Sequence, residues 1–230
     1  MGEQISNSTI EKLKSIDTCT VVNAIEAFGV RLQNEGFSNP TIHCRFPKLP
    51  PMVGFAITLR IRTSNPPMEG GSYIERTDWW DCFDVLPTPQ VIVIQDLDAS
   101  ATTGAFIGDV HAAILTAFGC VGVVTNGAVR SLPAAEAMGL QLFSGSVSPS
   151  HSFVHVVEAN GPVEVAGLKF TPGNLIHGDQ HGIVVVPAQV ADVVPAEALR
   201  LQQREGKIIS YCKSGGFSRA GLRRLLRRRA

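Results

Sequence analysis

The chain has 230 residues, 44% of them apolar and 17% charged, which predicts a globular protein with a sizeable core and excludes the low-hydrophobicity, high-charge signature of disorder. Lys plus Arg and Asp plus Glu each number 20, so no global field argues for nucleic acid or a polyanion, and no nucleic-acid partner is expected.

In residues Ser8 to Phe28, Ile10, Leu13, Ile16, Val21, Val22, Ala24 and Ile25 recur at spacings of three and four, interrupted at Asp17-Thr18, which predicts two short helices with an N-cap between them. Four prolines punctuate Pro40 to Pro51 and predict an extended or looping excursion. Val53 to Arg62 alternates apolar with small or polar residues and is a strand. Asn65 to Gly71 is a loop, and Trp79 to Phe83 a short helix whose two indoles fill the core or floor a pocket. Gln90 to Asp96 is an apolar run, as in a central strand covered on both faces. A glycine-punctuated turn over Ala99 to Gly108 leads into a helix, Val110 to Phe118, stopped by Gly119. Val121 to Asn126 is a strand, Pro133 to Met138 a helix closed by Gly139, and Leu140 to Phe143 a strand. Strand, helix, strand, helix, strand makes two βαβ units, so the fold class is α/β with a parallel sheet in its middle.

After Ser150, short alternating strands at Phe153 to Glu158, Val163 to Val165, Leu168 to Phe170 and Ile183 to Val186 predict a β-meander. Pro195 to Cys212 is a charged amphipathic helix. The tail that follows holds Arg219, Arg223, Arg224, Arg227, Arg228 and Arg229; a solvated helix accounts for this run, with an acidic partner as the alternative. Five cysteines form no CxxC or zinc-like cluster, which suits a reduced, cytoplasmic setting. The N-terminus lacks the apolar run of a signal peptide. No segment reaches the ~20 apolar residues that span a bilayer, so no membrane partner is expected.

Two turns carry the chemistry. Gly104-Ala-Phe-Ile-Gly108-Asp109-Val110-His111 opens a helix, whose first amides can hold a carboxylate or phosphate; Asp109 is either its N-cap or a site residue. Thr125-Asn-Gly-Ala-Val-Arg130 is a turn after the next parallel strand. Neighbouring parallel strands deliver their C-terminal turns to one sheet edge, so Asp109 and Arg130 should face one cleft.

Twenty residues separate Asp109 from Arg130. With Val53-Gly-Phe-Ala-Ile-Thr, Gly122-Val-Val-Thr-Asn-Gly-Ala-Val-Arg, Gly145-Ser-Val-Ser-Pro-Ser and Pro172-Gly-Asn-Leu-Ile-His-Gly-Asp-Gln-His-Gly-Ile-Val-Val-Val-Pro, this spacing resembles the RraA-like family, which includes 4-hydroxy-4-methyl-2-oxoglutarate aldolases, oxaloacetate decarboxylases and a regulator of ribonuclease E. The resemblance is strongest from about residue 50 to 187. It implies one RraA-like domain over 1–230, with a helical segment 1–30, a core 50–187 and a C-terminal helix and basic tail 190–230. The implied fold is an α/β/β sandwich of swivelling-domain type, assembled as a homo-trimer or hexamer with sites between subunits. It further implies lyase chemistry on a small 2-keto acid with Mg2+ or Mn2+. Arg130 would clamp the pyruvate enolate, Gly108 and the amides of Val110 and His111 would cradle the carboxylate, and Asp109 would help to hold the ion. Glu205 of a neighbouring subunit would complete the site.

Active relatives follow the arginine with Asp, a direct metal ligand, where this chain has Ser131. A hydroxyl is a poorer ligand than a carboxylate for a hard cation. Two alternatives stay open: a working enzyme whose ion is held by Asp109, Asp179 or another carboxylate, and a catalytically silent relative that binds a partner. His177-Gly-Asp-Gln-His181 has metal-ligand residue types, but the matched position favours Asp179 as a loop anchor. His151 and His155 lie on a strand-like stretch and are expected to be solvated or at the core edge. Ser144-Gly-Ser-Val-Ser is no hydrolase elbow. The methyltransferase label sometimes attached to the family lacks a glycine-rich nucleoside loop here.

Overall fold

The structure is a computed structural model and describes residues 5–67, 77–98 and 103–227. Two helices, α1 (Asn7–Lys14) and α2 (Thr18–Glu26), open the chain as expected. Ser6 Oγ accepts the Thr9 amide at 3.1 Å and caps the first; Asp17 Oδ1 accepts the Thr20 amide at 2.9 Å and caps the second. The proline-rich stretch is a loop apart from a two-residue strand, β1 (His43–Cys44).

The 11-residue strand β2 (Met52–Arg62) runs parallel to β3 (Gln90–Asp96), which runs parallel to β5 (Cys120–Val129), and β5 is parallel to β6 (Gln141–Val147). Between β3 and β5 come β4 (Ala105–Ile107) and the helix α3 (Asp109–Ala117). The helix α4 (Leu132–Ala137) joins β5 to β6. These crossovers confirm the two βαβ units. Gly119 (φ +90°) and Gly139 (φ +71°) end their helices as expected, in backbone conformations that side chains resist.

Three expectations need correction. The turn over Ala99 to Gly108 contains β4, which pairs in parallel with the far end of β5; residues 99–102 of that turn, like 68–71 of the expected loop and Arg228 and Arg229, lie outside the described residues. The turn at Thr125 to Arg130 is instead a continuation of β5 through an irregularity between Thr125 and Ala128. The expected meander is dispersed. β7 (His155–Ala159) pairs with the last residues of β2 and β10 (Leu175–Asp179) with the first, because β2 is long enough to take both along one edge. β10 forms a hairpin with β11 (Gly182–Val186), while β8 (Val163–Val165) and β9 (Leu168–Phe170) make a separate two-stranded sheet.

The main sheet is a nine-stranded α/β sheet. On one face Ile57, Leu59, Ile92, Ile94 and Val123 pack beneath α3, α4 and the single-turn helix Trp80–Phe83. The same face continues at Val53, Phe55 and Leu175 under α1, α2 and the long helix α5 (Val194–Lys213). The opposite face, with Met52, Ala56, Val91 and Val93, is covered by Val163, Val165 and Phe170 of the β8–β9 hairpin, which gives the expected α/β/β layering. A final helix, α6 (Arg219–Arg227), follows α5. No helix among the described residues is long and apolar enough to cross a membrane.

Candidate active site

β4 and β5 end together, and this sets the site. The Arg130 amide donates to the Ile107 carbonyl at 2.9 Å, which fixes the first residue beyond β5 beside the last of β4. Gly108, not Asp109, is the N-cap of α3, so Asp109 stands one place into the helix. The first intrahelical bond runs from the Ala112 amide to the Gly108 carbonyl at 2.9 Å; the amides before it, Val110 among them, open at the helix mouth with its positive dipole end. Asp109 and Val110 are exposed there, while His111 turns inward.

The Arg130 guanidinium lies across Gly108. A Cβ on that glycine would stand 2.9 Å from Nε and 3.5 Å from Nη2, so the absence of a side chain at 108 is what admits the guanidinium. Nη1 reaches only the Pro149 carbonyl, at 3.5 Å, and the buried Nε has no hydrogen-bond partner. Among the described residues no ion pair joins Asp109 and Arg130. The two share the helix mouth without neutralising each other. His111 stacks on Phe106 at 4.7 Å, and burial, aided by the charge of Arg130, pushes its pKa down to about 4. The imidazole beside the guanidinium is therefore neutral at pH 7.

Ser131 follows in the left-handed conformation (φ 54°, ψ 40°) as the N-cap of α4, and its hydroxyl makes no capping bond. The fold thus assembles Gly108, Asp109, Val110, His111, Arg130 and Ser131 in one place. It does not bring Glu205 there within one chain: that residue is exposed on α5, which packs on α1, α2 and α6. No group of three or more His, Cys, Asp and Glu among the described residues could hold a metal ion. The donors at this mouth are one carboxylate and one hydroxyl, a set that fits only a hard ion retaining most of its water.

The remaining sequence candidates are structural. His177 is fully buried, with Nε2 on the carbonyls of Leu13 (3.1 Å) and Ile16 (2.9 Å) and Nδ1 on the Thr18 hydroxyl (3.1 Å). Asp179 ends β10 and accepts the amides of Thr18 and His181, each at 2.9 Å, so it anchors a loop as expected. His151 lies outside any strand, just before the turn at 152–153; it and His155 each bond a nearby carbonyl at 2.8 Å. Trp79 is 2% exposed and packs edge-on to Trp80 and against Phe83 and Phe106, which is core filling. Ser144 is buried under Arg45, whose Nε donates to its hydroxyl at 2.7 Å.

Sequence reasoning missed the support beneath this edge. Asn126 reaches sideways to β3, accepting the Asp96 amide at 2.8 Å and donating to the Asp96 carbonyl at 2.9 Å. Asp96 in turn accepts the Thr63 hydroxyl at 2.9 Å, and Asp98 accepts the Thr63 and Ser64 amides. The only signal in the sequence was a polar Thr-Asn-Gly inside an otherwise apolar strand.

Comparison with known proteins agrees with this architecture. The family model described as RraA-like (Aldolase/RraA) matches residues 18–185. A curated protein of Halalkalibacterium halodurans, named provisionally as a 4-hydroxy-4-methyl-2-oxoglutarate aldolase, is 27% identical over 116 residues; the match covers 50% of this chain and 55% of that protein's length. Among solved structures, an uncharacterised protein from Pseudomonas syringae pv. tomato superposes with a TM-score of 0.73 at 23% identity, over 98% of this chain and 95% of its own. The Streptomyces coelicolor RraAS2, described as an unusual member of the RNase ES inhibitor RraA family, does so with a TM-score of 0.68 at 21% identity, over 89% and 96%. At these identities the two structures speak for the fold alone.

Proposed function

Because the chain belongs to the RraA-like family, we propose that it is a lyase that breaks a C–C bond in a small 2-keto acid and releases pyruvate, by retro-aldol cleavage or decarboxylation. The observation that carries this reading is the Arg130 guanidinium, laid over Gly108 with an unpartnered Nε at the mouth of α3. The substrate carboxylate would seat on the first-turn amides of Val110 and His111, where the helix dipole favours an anion. Arg130 would then face the keto oxygen. As the bond breaks, its electron pair passes into the pyruvate enolate, whose charge the fixed guanidinium stabilises; the other fragment leaves as CO2, or as a carbonyl compound whose hydroxyl proton passes to water, and a proton from water completes pyruvate.

A bound Mg2+ or Mn2+ would add Lewis-acid polarisation of the keto oxygen. Asp109 and Ser131 would hold it in one chain, with Glu205 of a neighbouring subunit as a further carboxylate. The reading therefore requires a homo-oligomer, a trimer or hexamer, and size-exclusion with light scattering should show one; a monomer at assay concentration would remove the role of Glu205.

The direct test is pyruvate release from 4-hydroxy-4-methyl-2-oxoglutarate and from oxaloacetate with Mg2+ or Mn2+. Arg130→Ala should lower kcat/KM by about 100- to 1,000-fold, the usual cost of one enolate-stabilising donor. No release by the wild type from either substrate would overturn the reading. Ser131 favours a second one, a partner-binding protein with catalysis silenced. The left-handed backbone at 131 tolerates Asp, and the Ser131 hydroxyl holds nothing in the fold, so Ser131→Asp should fold normally. A large gain in metal-dependent cleavage would identify a disarmed scaffold; no gain over an active wild type would favour the enzyme as it stands.

A further inference from the structure

The two C-terminal helices carry charge that the lyase reading leaves unused. Ten of the twenty Lys and Arg residues lie after residue 199, against one of the twenty Asp and Glu, so a neutral chain is split into an acidic body and a strongly basic end. The structure folds that end into a helical hairpin. Tyr211 of α5 packs on Phe217 at 6.0 Å and accepts the Ser218 amide at 3.2 Å, and Gly221 leaves room for the Tyr211 hydroxyl as α6 turns back.

Arg200, Arg204 and Lys207 recur at spacings of four and three along one face of α5. With Ile208, Leu225 and Leu226 they line a groove of about 420 Å³ between the helices that holds no acidic residue. Arg200 is engaged by Glu197 (2.6 and 2.8 Å), but Arg204, Lys207, Arg219, Arg223, Arg224 and Arg227 have no carboxylate partner among the described residues. Two large apolar side chains stand exposed near the cations of the turn and of α6, Phe217 at 46% and Leu226 at 44%; Ile209, also exposed, lies on the side of α5 opposite Arg200 and plays no part here.

We propose that the α5–α6 hairpin is a docking surface for an anionic lipid bilayer. Cationic side chains beside the exposed Phe217 and Leu226 suit an interface where phosphate headgroups meet acyl chains. A nucleic acid would use the cations but leave Leu226 without a partner, and the hairpin offers one exposed aromatic ring rather than a stacking platform. The acidic body would be repelled by the same surface, which orients the molecule with its basic end toward the lipid. This inference does not rest on the lyase reading.

The test is co-sedimentation of the full chain with vesicles of phosphatidylcholine alone and of phosphatidylcholine mixed with phosphatidylglycerol. The protein should partition onto the anionic vesicles only, and less so as salt rises. The triple variant Arg223→Glu, Arg224→Glu, Arg227→Glu should bind at least about tenfold more weakly, and Phe217→Ser with Leu226→Ser should also lose affinity, with circular dichroism and melting unchanged. No binding to anionic vesicles would overturn the proposal, as would wild-type binding indifferent to salt. Tight binding of a polyuridine RNA with no affinity for either vesicle would overturn it in favour of nucleic acid. Should a variant fail to fold, the wild-type lipid and salt series decides alone.

Discussion

At the residue scale the site rests on one missing side chain. Gly108 has φ −124°, a backbone any residue adopts, so Gly108→Ala costs no backbone strain. Its methyl would nonetheless meet Nε of Arg130 at 2.9 Å and push the guanidinium off the helix mouth. If Arg130 clamps the enolate, this variant should lose about tenfold or more in kcat/KM with an unchanged melting temperature, since displacements of about 1 Å cost that much. His111 offers a reading independent of turnover. Burial is the first cause of its lowered pKa and Arg130 the second, so in Arg130→Met an NMR titration should show the His111 pKa rising from about 4, yet staying below the ordinary 6.5. A value unmoved by the substitution would mean that the guanidinium is not beside the imidazole.

At the element scale, β5 decides where Arg130 lies. A polar Thr-Asn-Gly looks like a strand end, but Asn126 uses its side-chain amide to bond both backbone groups of Asp96, and the strand continues past it to pair with β4. Gly145 makes this irregularity fit, because a Cβ there would stand 2.3 Å from the Asn126 carbonyl oxygen. The helical N-terminus is simpler. Asp17 accepts both the amide and the hydroxyl of Thr20, so Asp17→Ala should cost about 1 kcal/mol, seen as a melting temperature lower by about 2–4 °C.

At the scale of the whole molecule, acid should unfold the protein in two stages. Burial chiefly holds His177 below 6.5 and His111 at about 4, so as pH falls below about 6.5, through a window that for His111 reaches about 4, the unfolded chain takes up protons that the folded chain refuses. Stability from these groups is complete above that window and falls as pH drops through it. Asp98 and Asp179 follow lower down. Burial works to raise both, but amide donors outweigh it: Thr63 and Ser64 hold Asp98 at about 2, and His181 and Thr18 hold Asp179 below its ordinary 3.8. Their contribution is lost as pH falls below about 4. Melting temperatures measured from pH 8 to 2 should show both declines, and His177→Gln should reduce the first.

Periodicity alone located the two N-terminal helices, β2, β3, α3, α4 and α5, because each repeats apolar residues at its own period and ends on a capping residue or a glycine. The succession of two parallel crossovers put Asp109 and Arg130 at one sheet edge. The tertiary structure decided the rest, since β4, β10 and the second half of β5 are too short or too polar to declare themselves and exist only because a neighbouring strand supplies their hydrogen bonds. It also decided that Gly108 caps the helix while Arg130 fills the space its side chain would take. Hydrophobic period is a property of the chain, whereas strand pairing and steric vacancy belong to its neighbours in space.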